Sequence, residues 1–113
     1  MPLTTAEGWL TDPIGFHGEW QGGAHGANIC IIANRIEAPG GGPRLHRHPY
    51  PETFVIRRGR ALFQVGDARI EAGEGDILVA PAGTPHRFEN RGPGALETID
   101  IHENGSFVTE WLE

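Results

Sequence analysis

The chain has 113 residues, one cysteine, 17 glycines, 9 prolines and a formal net charge of −6. That length suits one domain spanning residues 1–113, with a core that buries roughly two-thirds of the unfolded surface, and one cysteine excludes a disulfide framework within the chain. The basic residues are scattered among acids, so the electrostatic footprint of a nucleic-acid binder is missing, and no apolar run approaches the roughly 18 residues of a membrane helix. The N-terminal "MPLTTAEGWL" lacks the basic flank and apolar stretch of a secretory leader, which with the free thiol predicts a reducing, cytoplasmic setting.

Short runs punctuated by glycine and proline predict strands in chain order at "NICIIANRIEA", "RLHRH", "ETFVIRR", "ALFQV", "ARIEA", "DILVA", "HRFEN" and "LETIDIH". Cys30, among apolar neighbours in the first, reads as an inert core thiol. Gly66-Asp67 separates two runs by two residues, a turn that favours glycine because it takes positive φ at little cost. The final "SFVTEWLE" is open between a short helix and an edge strand. No segment carries an apolar period of 3.6, so eight or so strands in one core predict a double-sheet roll or barrel.

Chemistry concentrates between Gly40 and Asn90. In a strand, residues two apart share a face, so His46 and His48 point one way and Arg47 the other. After the turn "PYP", Glu52 begins the next strand on the face that carries Phe54 and Ile56. A carboxylate pointed into an apolar interior needs a cation or a proton. Further on, "PAGTPHRFENRG" places His86 on the face of Phe88. Three imidazoles and one carboxylate suffice for a divalent transition metal with one or two positions open. His17, His25 and His102 form no comparable group.

The punctuation around these residues is specific. Gly40, His46, His48, Glu52 and Gly59, separated by five, one, three and six residues, resemble the first cupin motif (40–59). Gly75, Pro81, Gly83, His86 and Asn90, separated by five, one, two and three residues, resemble the second (75–90). The fifteen residues between the motifs resemble the spacer of small microbial cupins. This resemblance implies an all-β, double-stranded β-helix or jelly-roll barrel, with one divalent metal (Fe, Mn, Ni, Cu or Zn) held inside by His46, His48, Glu52 and His86. Asn90 is expected to cap a turn.

A fold and a metal do not define a reaction. Cupins with this ligand set include dioxygenases, decarboxylases, isomerases and cyclases, and some only bind or sense small ligands. The enzyme reading draws on Gln64, Tyr50, Arg44, Arg35 and His102 as residues that would reach the mouth of the barrel, an arginine there suiting an anionic substrate. In "LETIDIH" one register turns Ile99 and Ile101 inward and the other Thr98, Asp100 and His102; apolar burial favours the isoleucines and an exposed His102. Trp9, Trp20 and Trp111 read as packing or oligomer contacts. Exposed edge strands, and some forty residues ahead of the first motif, predict a homodimer that binds a small-molecule ligand or substrate.

Overall fold

The computed structural model describes residues 2–113. A short helix α1 (Ala6–Trp9) leads into β1 (Leu10–Asp12) and β2 (His17–Gln21), followed by a 3-10 turn at Gly22–His25. The remaining strands are β3 (Cys30–Ile36), β4 (His46–Arg47), β5 (Glu52–Arg58), β6 (Arg60–Val65), β7 (Ala68–Gly73), β8 (Ile77–Ala80), β9 (His86–Asn90), β10 (Leu96–His102) and β11 (Glu110–Trp111). They form two antiparallel sheets, ordered β1-β2-β3-β10-β5-β8 and β11-β4-β9-β6-β7. The sheets face each other as a jelly-roll sandwich and do not close into a barrel. The C-terminal segment takes the edge-strand alternative, Glu110 and Trp111 pairing with Arg47 and His46. α1, β1 and β2 carried no sequence signal, being short, polar and broken by glycine.

Alternation along β5, β6 and β9 builds the core. Phe54 and Ile56, Ala61 and Phe63, and Phe88 turn inward, joined by Ala72, Leu78, Ala80 and Leu96. Phe54 meets Phe63 edge to face at 4.9 Å and Phe88 at 5.5 Å, while Phe63 stacks on Phe88 at 5.0 Å. Such pairs add about 0.5–1.5 kcal/mol each beyond the area they bury. The rings fill one end of the sandwich; polar side chains occupy the other.

Tight turns set where those polar side chains stand. Val65 pairs with Ala68 across the Gly66-Asp67 turn, with Gly66 at φ +57°. Gly59 joins β5 to β6 at φ +88°, and a Cβ there would lie 2.4 Å from the Ala95 carbonyl oxygen, so any side chain would meet both strain and a clash. Gly83, at φ +74°, donates its N–H to the His48 carbonyl at 2.7 Å and so ties the approach to His86 onto the end of the β4 segment. The Asn90 amide donates to the Ile36 and Gly94 carbonyls, and its oxygen accepts from the Gly92 N–H, a turn cap as expected. Cys30 is a buried, free core thiol.

Candidate metal centre

Each sheet contributes to one cluster. β4 and β9 of the five-stranded sheet pair His46 with His86, and His48 follows β4 directly. Glu52 opens β5 in the facing sheet, where it stands opposite His102 of β10. His46, His48, Glu52 and His86 are all buried, and one ligand atom from each lies within 4.8 Å of the others.

The backbone decides which imidazole nitrogens face inward. Nδ1 of His46 donates to the Arg44 carbonyl at 2.6 Å, Nδ1 of His48 to Val108 at 2.9 Å, and Nδ1 of His86 to Thr84 at 2.9 Å. A carbonyl only accepts, so the proton of each neutral ring sits on Nδ1 and its Nε2 is a lone pair. Nε2 of His86 and of His48 each stand 3.0 Å from Oε1 of Glu52, and that of His48 lacks the direction of a hydrogen bond and has no other partner. Lone pairs aimed at a carboxylate repel it unless a cation or proton lies between them. The chain's own donors therefore fit a divalent cation.

Electrostatics keep the carboxylate in the charged form that can ligate. Burial pushes the Glu52 carboxyl upward, but His102, His48 and His86 outweigh it and hold the group well below the usual carboxylate range. Burial lowers His46 below the ordinary imidazole value, favouring the neutral ring that can ligate. At His48 burial acts the same way, yet the Glu52 carboxylate and the Val108 carbonyl reverse it to a net rise.

β10 takes the register opposite to the one that apolar burial favours. His102 is only 3% exposed, and Thr98, Asp100 and His102 turn toward the interior while Ile99 and Ile101 lie half-buried on the outer face of the sheet. A hydrogen-bond chain makes the burial of the ring tolerable. The Val108 N–H donates to the Tyr50 hydroxyl at 3.2 Å, and the hydroxyl donates to His102 Nδ1 at 2.7 Å. His102 thus carries its proton on Nε2, the opposite tautomer to the other three rings, 3.0 Å from Oε2 of Glu52 but, like Nε2 of His48, off the direction of a hydrogen bond. Burial raises the Tyr50 hydroxyl above its usual value, which keeps it a donor. Replacing Tyr50 by Phe removes the group that holds this tautomer and is expected to weaken metal binding by about tenfold. Competition with a chromophoric chelator measures this, and an affinity within twofold of the parent protein would refute the coupling.

Tyr50 and His102 are the residues, among those expected around the cluster, that reach it. Gln64 accepts from Arg87, and Arg44 lies with both in a groove of about 260 Å³ on the opposite face of the five-stranded sheet. Arg35 pairs with Glu37 and with buried Glu97. Gln64 points outward because Phe63 takes the buried site beside it on β6, Arg35 alternates with Asn34, which lines the cavity, and Arg44 lies ahead of β4. Trp111 departs from expectation too: its ring lies 5.0 Å from that of His46 and walls the cavity over the cluster. Trp20 is a packing residue, stacked on His25 and donating to Thr4. The cavity holds about 340 Å³ and is lined by His46, His48, Glu52, Asp100, His102 and Phe107 among others.

The profile of the cupin domain matches residues 36–102, more than half of the chain. The chain belongs to the cupin family. A protein of Klebsiella pneumoniae with a double-stranded β-helix domain superposes with a TM-score of 0.73 at 19% identity, covering 98% of this chain and 96% of that one. Oxalate decarboxylase of Bacillus subtilis superposes at 0.76 with 26% identity over 84% of this chain, and that of Lactobacillus farciminis at 0.74 with 22% identity over 86%. This cupin spans 27% and 31% of the length of those two enzymes. Work on the Bacillus enzyme concerns its Mn(II) centres. No curated protein matches the sequence. Among the described residues no helix is long and apolar enough to cross a membrane.

Proposed function

We propose that this cupin is a metal-dependent enzyme acting on a small molecule, with one divalent transition metal held by Nε2 of His46, His48 and His86 and a carboxylate oxygen of Glu52. The observation that carries this reading is the set of three Nδ1–H bonds to backbone carbonyls, which turns three lone pairs toward one carboxylate at the wall of a 340 Å³ cavity. A bound ion would supply Lewis acidity and open positions for a ligand oxygen. The chain supplies the remainder. Tyr50 holds the His102 proton on Nε2, beside the Glu52 carboxylate, and Phe107 and Trp111 give the cavity aromatic walls. The oxygenase, isomerase, decarboxylase and cyclase types all remain within this chemistry.

Metal analysis of untagged protein tests the reading, followed by oxygen-uptake and turnover screens with Mn, Fe, Ni, Cu and Zn restored in turn. About one equivalent of metal per chain, and turnover in one reaction class, are expected. Metal without turnover would assign the chain to ligand binding or sensing instead.

A homodimer in the cytoplasm completes the proposal. Ile77 and Val79 on edge strand β8 are 68% and 51% exposed. They continue across Val55, Ile99, Ile101 and Ile31 on the outer face of the same sheet, an apolar strip suited to a second copy of the chain. Light scattering is expected to give twice the chain mass, and Val79→Arg to halve it. A monomer mass for the parent protein would rule the dimer out.

A further inference from the structure

Asp100 occupies the middle of β10, opposite Phe54 of β5 and Ile32 of β3. It is 4% exposed, it lines the cavity beside the metal centre, and its Oδ1 has no hydrogen-bond partner. A buried polar atom without a partner costs folding free energy, so a ligand that completes it binds with that cost relieved. The walls around it are Ile32, Pro43, Phe88, Phe107 and Trp111. Glu19 is the further acid on the rim. All nine basic residues of the chain are arginines, and none of them lines this cavity. They are engaged outside it instead, for example Arg47 with Glu110, Arg57 with Glu97 and Arg87 with Glu113.

We propose that the cavity selects an uncharged hydroxy-carbonyl compound with an apolar or aromatic body, whose hydroxyl is bound by Asp100, and that it rejects dicarboxylates. The inference rests on the metal reading above, since the carbonyl is the group left for the metal. A hydroxyl both donates and accepts, so it satisfies the Asp100 carboxyl whichever form that group takes. The aromatic walls match a flat body. A dianion, by contrast, would bring two negative charges beside the carboxylates of Glu19 and Glu52, with no guanidinium lining the cavity to meet them. The substrate in the name of the oxalate decarboxylase neighbours is therefore not the one this cavity favours.

Calorimetric titration of zinc-loaded protein with 3′-hydroxyacetophenone, 3′-methoxyacetophenone and isophthalate at pH 7 tests this, with metal counted before and after each titration. The hydroxy probe is expected to bind about tenfold tighter than its methyl ether, the size of effect that one buried hydrogen bond carries. Asp100→Ala should abolish that difference while leaving affinity for the ether within about twofold. Isophthalate, of similar shape, should bind more weakly than the hydroxy probe to the parent protein, an arm that needs no variant. Equal affinity for hydroxy and methoxy probes, a difference that survives Asp100→Ala, or a preference for isophthalate with metal retained would each overturn the assignment and leave the metal centre standing. A parent protein that takes up no metal would overturn the metal reading, and this inference with it.

Discussion

Replacing His46, His48 or His86 by alanine is expected to lower metal affinity by about 100-fold or more, because losing a direct ligand exceeds the ten- to hundredfold cost of losing an outer-shell partner. Each variant should remain folded, since the Phe54, Phe63 and Phe88 cluster that packs the sandwich is intact. Glu52→Gln keeps the shape and removes the charge. It should weaken binding to a similar degree, because the carboxylate is the anion around which the three lone pairs are arranged. The expected pattern is therefore loss of metal in all four variants with native circular dichroism. Full metal content in the four variants by elemental analysis would exclude these residues as the ligand set.

Removing the metal should lower the melting temperature of the parent protein at pH 7.5. Free metal at about 100 times its dissociation constant stabilises the folded state by about 2.7 kcal/mol, which for a domain of this size raises Tm by about 10 °C. The same linkage has a definite sign with pH. Imidazole ligates only when neutral, and its ordinary pKa is about 6.5, so protons compete with the metal as pH falls. Burial of His46 favours its neutral form and extends retention to lower pH, whereas Glu52 is already held in its charged form and adds no proton uptake until more acidic conditions. Metal should be retained at pH 7.5 and released progressively between about pH 6 and 4.5. The holo and chelated proteins should then melt alike at the acid end. Superimposed melting curves at pH 7.5, after verified metal removal, would show that no bound metal contributes to the fold.

The candidate ligand cluster was legible in the sequence because it depends on local periodicity. His46 and His48 share a face through the two-residue repeat, Glu52 opens the next strand with Phe54 and Ile56 marking its inner side, and Gly83 ahead of His86 marks a turn that only a left-handed residue makes cheaply. The spacing of short strands and turns gave a double-sheet roll or barrel, and the resemblance to the cupin motifs gave the jelly roll, whose two sheets do not close into a barrel. The first twenty-one residues did not follow, since strands as short as Leu10–Asp12 have too few side chains to show any alternation.

What surrounds the ligands depended on contacts between segments far apart in the chain. Alternation in β10 defines two faces without saying which is inner, and apolar burial alone chose the isoleucines. The structure chose Thr98, Asp100 and His102, because Tyr50 meets the His102 ring from 52 residues away, while Ile99 and Ile101 find half-burial on the outer face. Trp111 became a cavity wall only through the pairing of β11 with β4, while Arg35 was drawn to Glu37 and Glu97 and Gln64 to Arg87, away from the cavity. The sequence by itself determined the cluster of candidate metal ligands and the strand grammar that presents them, since both are written within a few residues. The tertiary structure alone decided the chemistry of the cavity, because a polar side chain's cost of burial depends on partners that only folding brings within hydrogen-bonding distance.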